Sequence, residues 1–179
     1  MLVSLYKSTN AAKMWLPSGS FWIQPAGESH ITAASGEENL IYLEIDSGPY
    51  LVEPEDQAFD NGERPVNVSE NNMFWLTAND ANWLDAGSAK ISYLWGNPKA
   101  TNGSFVKLPA GFKGSLENDT EMKAVVVKGS ANYQWSLDPK VTSLSPSSFF
   151  SSEGQAKHII EAKTDVVLYV KSVGKFAVE

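Results

Sequence analysis

Apolar and polar residues along most of this chain form short alternating or block-like runs, with a period near two. Residues 40–45, 124–128 and 165–171 are brief β-branched and aromatic runs bounded by turn residues, a pattern that predicts strands. Residues 91–95 predict another, stopped by Gly96, Asn97 and Pro98. Asn102 and Gly103, just before residues 104–108, predict a hairpin turn. No segment sustains helical periodicity with caps. At most, residues 77–83 support a helical turn or two, with Thr77 or Asn79 as the cap. Many short strands with regularly spaced turns predict an all-β sandwich or barrel.

The pattern also repeats. Ser20, Phe21, Trp22 and His30 align with Ser148, Phe149, Phe150 and His158 at a constant offset. After a gap of two residues the likeness resumes, with residues 40–52 matching residues 166–178. Such self-similarity predicts duplicated structure. Residues 53–67, acidic and carrying Pro54, Pro65 and an Asn61-Gly62 turn, read as a connector between repeats. The expected organisation is a partial repeat at 1–52, a connector at 53–72 and a complete barrel at 73–179. At the same offset, the counterpart of Gly129 falls on Met1, so the first repeat lacks its front half. Its strands would then present unpaired edges, which proteins pair or cover. The remnant is therefore expected to pack on the second barrel or on another chain, as in a homodimer, and the chain reads as a truncated form of a longer protein.

Composition narrows the function classes. A net charge of -7 argues against a nucleic-acid footprint, which needs clustered Lys and Arg. With no cysteine, disulfides, thiolate metal sites and cysteine nucleophiles are excluded. No apolar run approaches the length of a membrane span. The N-terminus lacks the parts of a signal peptide, which favours the cytoplasm over secretion for the chain as given. Neither a nucleophile elbow nor a phosphate-cradling glycine loop occurs at standard spacing.

The stretches ending Pro25-Ala26-Gly27-Glu28-Ser29-His30 and Glu153-Gly154-Gln155-Ala156-Lys157-His158, each followed by an apolar run, resemble the second conserved motif of the cupins. Leu108-Pro109-Ala110-Gly111-Phe112 through Gly129 resembles the first cupin motif, which ends in an apolar strand and a glycine. With Trp75 and the run Leu94 to Pro98, the chain is similar to bacterial bicupins of unassigned function, relatives of the cupin domain of ChrR-type anti-sigma factors. The resemblance implies a double-stranded β-helix, the RmlC-like jelly roll, with a small ligand or a metal in its mouth. In metal-binding cupins three histidines and often a glutamate hold iron, manganese, nickel or zinc, and imidazole and carboxylate donors suit those metals.

This chain departs from that ligand set. Leu116, Asn118 and Lys123 stand where first-motif ligands are expected, and leucine cannot ligate while lysine repels a metal. The remaining weak metal candidates are His158, helped by Glu117, Asp119 or Glu121, and His30. Lys123 shares a face with Val125 and Val127 by alternation. If that face lines the barrel, Lys123 takes the place of the lost metal and holds a small anionic ligand. The pocket candidates are then Asn118, Lys123 and His158, with Trp95, Trp135 and Phe150 as apolar walls. Trp22, Trp75 and Tyr133 are further aromatics that line either a pocket or a core. The expected function is non-enzymatic, a small-molecule-binding or structural cupin with a degenerate metal site. The alternatives are a metal-dependent dioxygenase or isomerase and a ChrR-like sensor acting through a partner protein.

Overall fold

A computed structural model describes residues 2–4, 13–81, 83, 84 and 88–179. The chain divides into two compact units, residues 1–73 and 74–179.

The second unit is built from ten strands: β6 (Lys90–Gly96), β7 (Thr101–Leu108), β8 (Lys113–Asn118), β9 (Met122–Lys128), β10 (Ala131–Trp135), β11 (Val141–Leu144), β12 (Phe149–Ser152), β13 (Ala156–Ala162), β14 (Val166–Val173) and β15 (Phe176–Val178). They form two five-stranded sheets, ordered β11-β10-β13-β8-β15 and β12-β9-β14-β7-β6, with every neighbouring pair antiparallel. Because successive strands switch between sheets, the chain rolls up as the all-β jelly roll that the cupin resemblance implies. Leu116, Ile160 and Ala131 from one sheet meet Val126, Leu168 and Val170 from the other in a single buried cluster. Alternation along each strand sends these residues inward and their neighbours outward.

Two local expectations need correction here. Asn102 and Gly103 are not a turn but belong to β7; the reversal lies at residues 97–100, closed by a bond from the Ala100 N–H to the Asn97 carbonyl. Gly103 is small because the Trp95 ring crosses it. A Cβ there would stand 2.0 Å from Trp95 Nε1 and 2.7 Å from the Tyr169 hydroxyl. Asn102 is buried, and its side chain donates to Ser172 Oγ and to the Gly174 and Ala100 carbonyls. Around Thr77 one turn forms without a helix. The Thr77 carbonyl accepts from the N–H of Asp80 and of Ala81, while Asp80 Oδ2 accepts from the Thr77 N–H and hydroxyl. Residue 82 of that segment lies outside the described residues.

The first unit holds β1 (Leu2–Ser4), β2 (Lys13–Trp15), β3 (Phe21–Ile23), β4 (Thr32–Ala33) and β5 (Val66–Val68). Its three-stranded sheet, ordered β2-β1-β4, copies β11-β10-β13 in order, direction and register. Subtracting 129 from Ala131↔Leu144 and Ala131↔Ala162 gives Leu2↔Trp15 and Leu2↔Ala33, the pairs observed. Residues 66–68, expected within a connector, instead form β5 and pair with β3. The strand expected at 40–45 does not form: no residue from 34 to 54 lies in a strand or helix. In the second unit its sequence counterpart, β14, is held between β7 and β9. No strand of the first unit pairs with residues 40–45 in that way among the described residues.

Candidate functional site

β13 carries His158 on its inward face, directly opposite Trp135 of β10 and Leu116 of β8. The imidazole is almost completely buried. Each ring nitrogen has one hydroxyl partner: Nδ1 and the Tyr133 hydroxyl are 2.9 Å apart, and Nε2 and Ser152 Oγ are 3.1 Å apart. The ring lies 5.0 Å from Phe150 and 5.9 Å from Tyr133, which themselves stack at 4.7 Å. Burial pushes the His158 pKa down to about 4, so the ring is neutral at physiological pH. A neutral imidazole has one donor and one acceptor nitrogen, and two hydroxyls satisfy it whichever tautomer is present.

The network extends to Asn118, which is buried on β8. Its Nδ2 donates to Ser152 Oγ and to the Gly154 carbonyl, each at 3.0 Å, and also bonds the Thr120 carbonyl. Ser152 in turn lies 3.3 Å from Asn118 Oδ1. His158, Tyr133, Ser152 and Asn118 thus form one connected polar group under the barrel mouth.

The other candidates lie elsewhere. Lys123 does share a face with Val125 and Val127, but it is the outer face: Met122, Ala124 and Val126 are the ones that join the core. Alternation identifies which residues share a face and not which face is covered, hence the reversal. Lys123 is about half exposed and pairs with Glu121 at 2.7 Å. Trp95 is also outside the barrel, donating from Nε1 to the Tyr169 hydroxyl at 3.0 Å with Lys171 Nζ 5.7 Å over its ring. Trp75, likewise, lies under Lys107. Trp22 sits on β3 of the first unit, opposite Asn67. Phe150 is a buried wall against His158, whereas Trp135 is substantially exposed at the mouth.

The metal test fails on the donors themselves. Glu117 pairs with Lys157, which holds its carboxyl below the usual range, and Glu121 is held likewise by Lys123. Both His158 nitrogens face hydroxyls rather than a shared point with a carboxylate. Among the described residues, no group of three or more His, Cys, Asp or Glu is placed to hold an ion. His30 is exposed in the first unit, its Nδ1 bonded to the Glu28 carbonyl at 3.1 Å. The sequence likeness runs at an offset of 128, whereas the ladder of β1 and β4 matches that of β10 and β13 at 129. His30 itself precedes β4 and lies in no strand, so nothing there fixes it inward as β13 fixes His158.

An open cavity of about 560 Å³ lies beside the network. It forms where β8 and β10 end and β13 and β15 begin. Trp83, Trp135, Leu137 and Phe176 supply apolar surface, while Asn118, Asp119, Gln155, Lys157 and Lys175 supply polar groups. Of these, the sequence reading had named Trp135, Asn118 and Asp119. Trp83, Lys175 and the hydroxyl role of Ser152 carry no local motif; they meet only once the strand ends are brought together. Tyr133 was legible in part, because alternation along β10 puts it on the same face as Trp135.

Three comparisons place the chain. Among solved structures, it is similar to the cupin domain of Cnp3 from Schizosaccharomyces pombe, at 16% identity and a TM-score of 0.46, covering 65% of this chain and 76% of that one. It is also similar to an RmlC-like cupin protein from Ralstonia eutropha, at 16% identity and a TM-score of 0.45, covering 60% and 68%. A cupin superfamily protein from Desulfitobacterium hafniense matches at 15% identity and a TM-score of 0.43, covering 49% and 79%. Likenesses of this size say nothing about activity. No curated protein matches. The model of a domain of unknown function, DUF4437, matches residues 5–179, and the chain belongs to that family.

Proposed function

We propose that this cupin-fold protein binds a small organic anion at the barrel mouth and performs no metal chemistry there. The observation that carries the reading is the 560 Å³ cavity, with Trp83, Trp135 and Leu137 on its apolar side and Lys175 on its rim. Concave sites with apolar walls and a few placed polar groups are the usual form of small-molecule pockets. Of the two lysines, Lys157 is engaged by Glu117 and Lys175 makes no ion pair among the described residues. Lys175 therefore takes over the role the sequence suggested for Lys123. The buried network of His158, Tyr133, Ser152 and Asn118 is a fixed floor, with its hydrogen-bonding capacity spent internally. In this reading the position where the cupin resemblance implies a metal serves as structural scaffolding.

Two-dimensional NMR tests the reading, with benzoate and benzyl alcohol as probes. Benzoate is expected to shift the Trp135 and Trp83 indole signals saturably, and benzyl alcohol to do so more weakly. Lys175→Ala should weaken benzoate binding by about two- to fivefold, the upper part of the range of one exposed charge contact. Saturable shifts that ignore Lys175→Ala would refute the anion assignment. No shift at either indole with any of a panel of aromatic and aliphatic carboxylates would return the mouth to a structural role.

A further inference from the structure

A run of exposed apolar residues lies in the first unit. Leu40, Ile41, Leu43, Ile45, Leu51 and Val52, with Tyr42 and Tyr50, are between 42% and 81% exposed. Contiguous apolar surface of this kind marks a site for another molecule. The same stretch is strongly acidic. From residue 14 to residue 63 there are ten Asp and Glu and no Lys or Arg, so this third of the chain carries more negative charge than the whole. Glu37, Glu38, Asp46 and Glu53 are exposed beside the apolar residues, and Tyr42 donates to Glu44 Oε1 at 2.9 Å.

The sequence of this strip is that of a strand. Residues 40–52 match residues 166–178, and there β14 is central in its sheet, with five successive residues buried between β7 and β9. In the first unit the same pattern has no ladder on either side among the described residues.

We infer that residues 40–47, the counterpart of β14, are a latent strand that docks a basic, apolar segment of a partner protein by strand addition. Backbone bonding would supply affinity, alternate apolar side chains would fill the strip, and lysine or arginine on the partner would meet the carboxylates. The charge decides among occupants. A second copy would set two such acidic strips against each other, and nucleic acids or anionic membranes would meet like charge.

The test uses the full chain and a fluorescein-labelled eight-residue peptide alternating lysine and valine, followed by anisotropy. Peptides alternating glutamate with valine and lysine with serine are the controls. The lysine–valine peptide should bind at least tenfold more tightly than either, and more weakly as salt rises. Ile41→Ser with Leu43→Ser, and separately Glu44→Gln with Asp46→Asn, should each reduce binding at least fivefold. All four side chains lie outside the barrel core, so the main thermal transition should not move. Peptide binding should also shift the backbone NMR signals of residues 40–45 towards strand values. Equal binding of all three peptides, or binding indifferent to both variant pairs, overturns the inference. Sedimentation gives the competing outcome: a dimer that Ile41→Ser with Leu43→Ser dissociates assigns the strip to a second copy. Binding to uncharged phosphatidylcholine vesicles that the same pair abolishes assigns it to lipid. Either result overturns the proposal while leaving the barrel-mouth reading untouched.

Discussion

His158 acts as a buttress, with each ring nitrogen against a hydroxyl. Desolvation lowers its pKa to about 4 from an unfolded value near 6.5. Between those values the unfolded chain takes up a proton that the folded chain refuses, so stability falls as pH drops from 6.5 towards 4. Above pH 6.5 both states are neutral at this site and the contribution is flat. The loss is up to about 3 kcal/mol, from 1.36 kcal/mol per pK unit. Urea melts at several pH values should show this slope, and His158→Gln should flatten it. The hydroxyls on either side give a second prediction. Tyr133→Phe leaves one buried ring nitrogen unpaired and should cost about 1–2 kcal/mol in a chemical melt. Ser152→Ala should cost at least as much, since that hydroxyl also meets Asn118. An unchanged midpoint in both variants would show that the network is not formed. The sequence identified His158 as special but could not show what its nitrogens bond, because Tyr133 and Ser152 come from strands that pair only in the fold.

At the level of strands, alternation gave most of the barrel. The expected runs at 91–95 and 124–128 lie within β6 and β9, and the run at 165–171 falls on β14 from its second residue onward. Errors arose where a residue type has two uses. Gly103 reads as a turn residue but serves a close crossing, and Gly103→Ala should displace the Trp95 ring and break its bond to Tyr169. A cost of about 1–3 kcal/mol is expected for such overpacking, with a red shift of tryptophan emission. Gly129 answers to backbone geometry instead. It has φ +83°, and a Cβ there would lie 2.1 Å from the Asp165 carbonyl oxygen. Gly129→Ala should therefore be the more damaging substitution, about 3 kcal/mol or more, since backbone must move. Equal melting of the two variants would contradict that ranking. Residues 40–45 teach a different lesson. Their composition is right for a strand, but a strand needs neighbours as well as propensity, and the sequence of one segment does not reveal whether its partners are present.

For the molecule as a whole, the internal repeat was the most informative signal. The register shared by β2-β1-β4 and β11-β10-β13 shows the duplication in three dimensions. The chemistry was less legible, because a mouth pocket is made from strand ends far apart in sequence. Charge, too, is divided unevenly, with the first unit strongly acidic and the barrel unit close to neutral. The two proposals accordingly concern different partners: a small anion at Lys175 and a cationic protein segment along residues 40–47.

The most direct test of the account is the protonation state of His158, followed by NMR of its ring nitrogens from neutral pH to pH 4, with and without manganese or zinc. The account predicts one neutral tautomer down to about pH 5, unaltered by either metal. Titration near pH 6.5, or stoichiometric broadening or displacement of the His158 signals by metal, would contradict it and restore the mouth of this barrel as a metal centre.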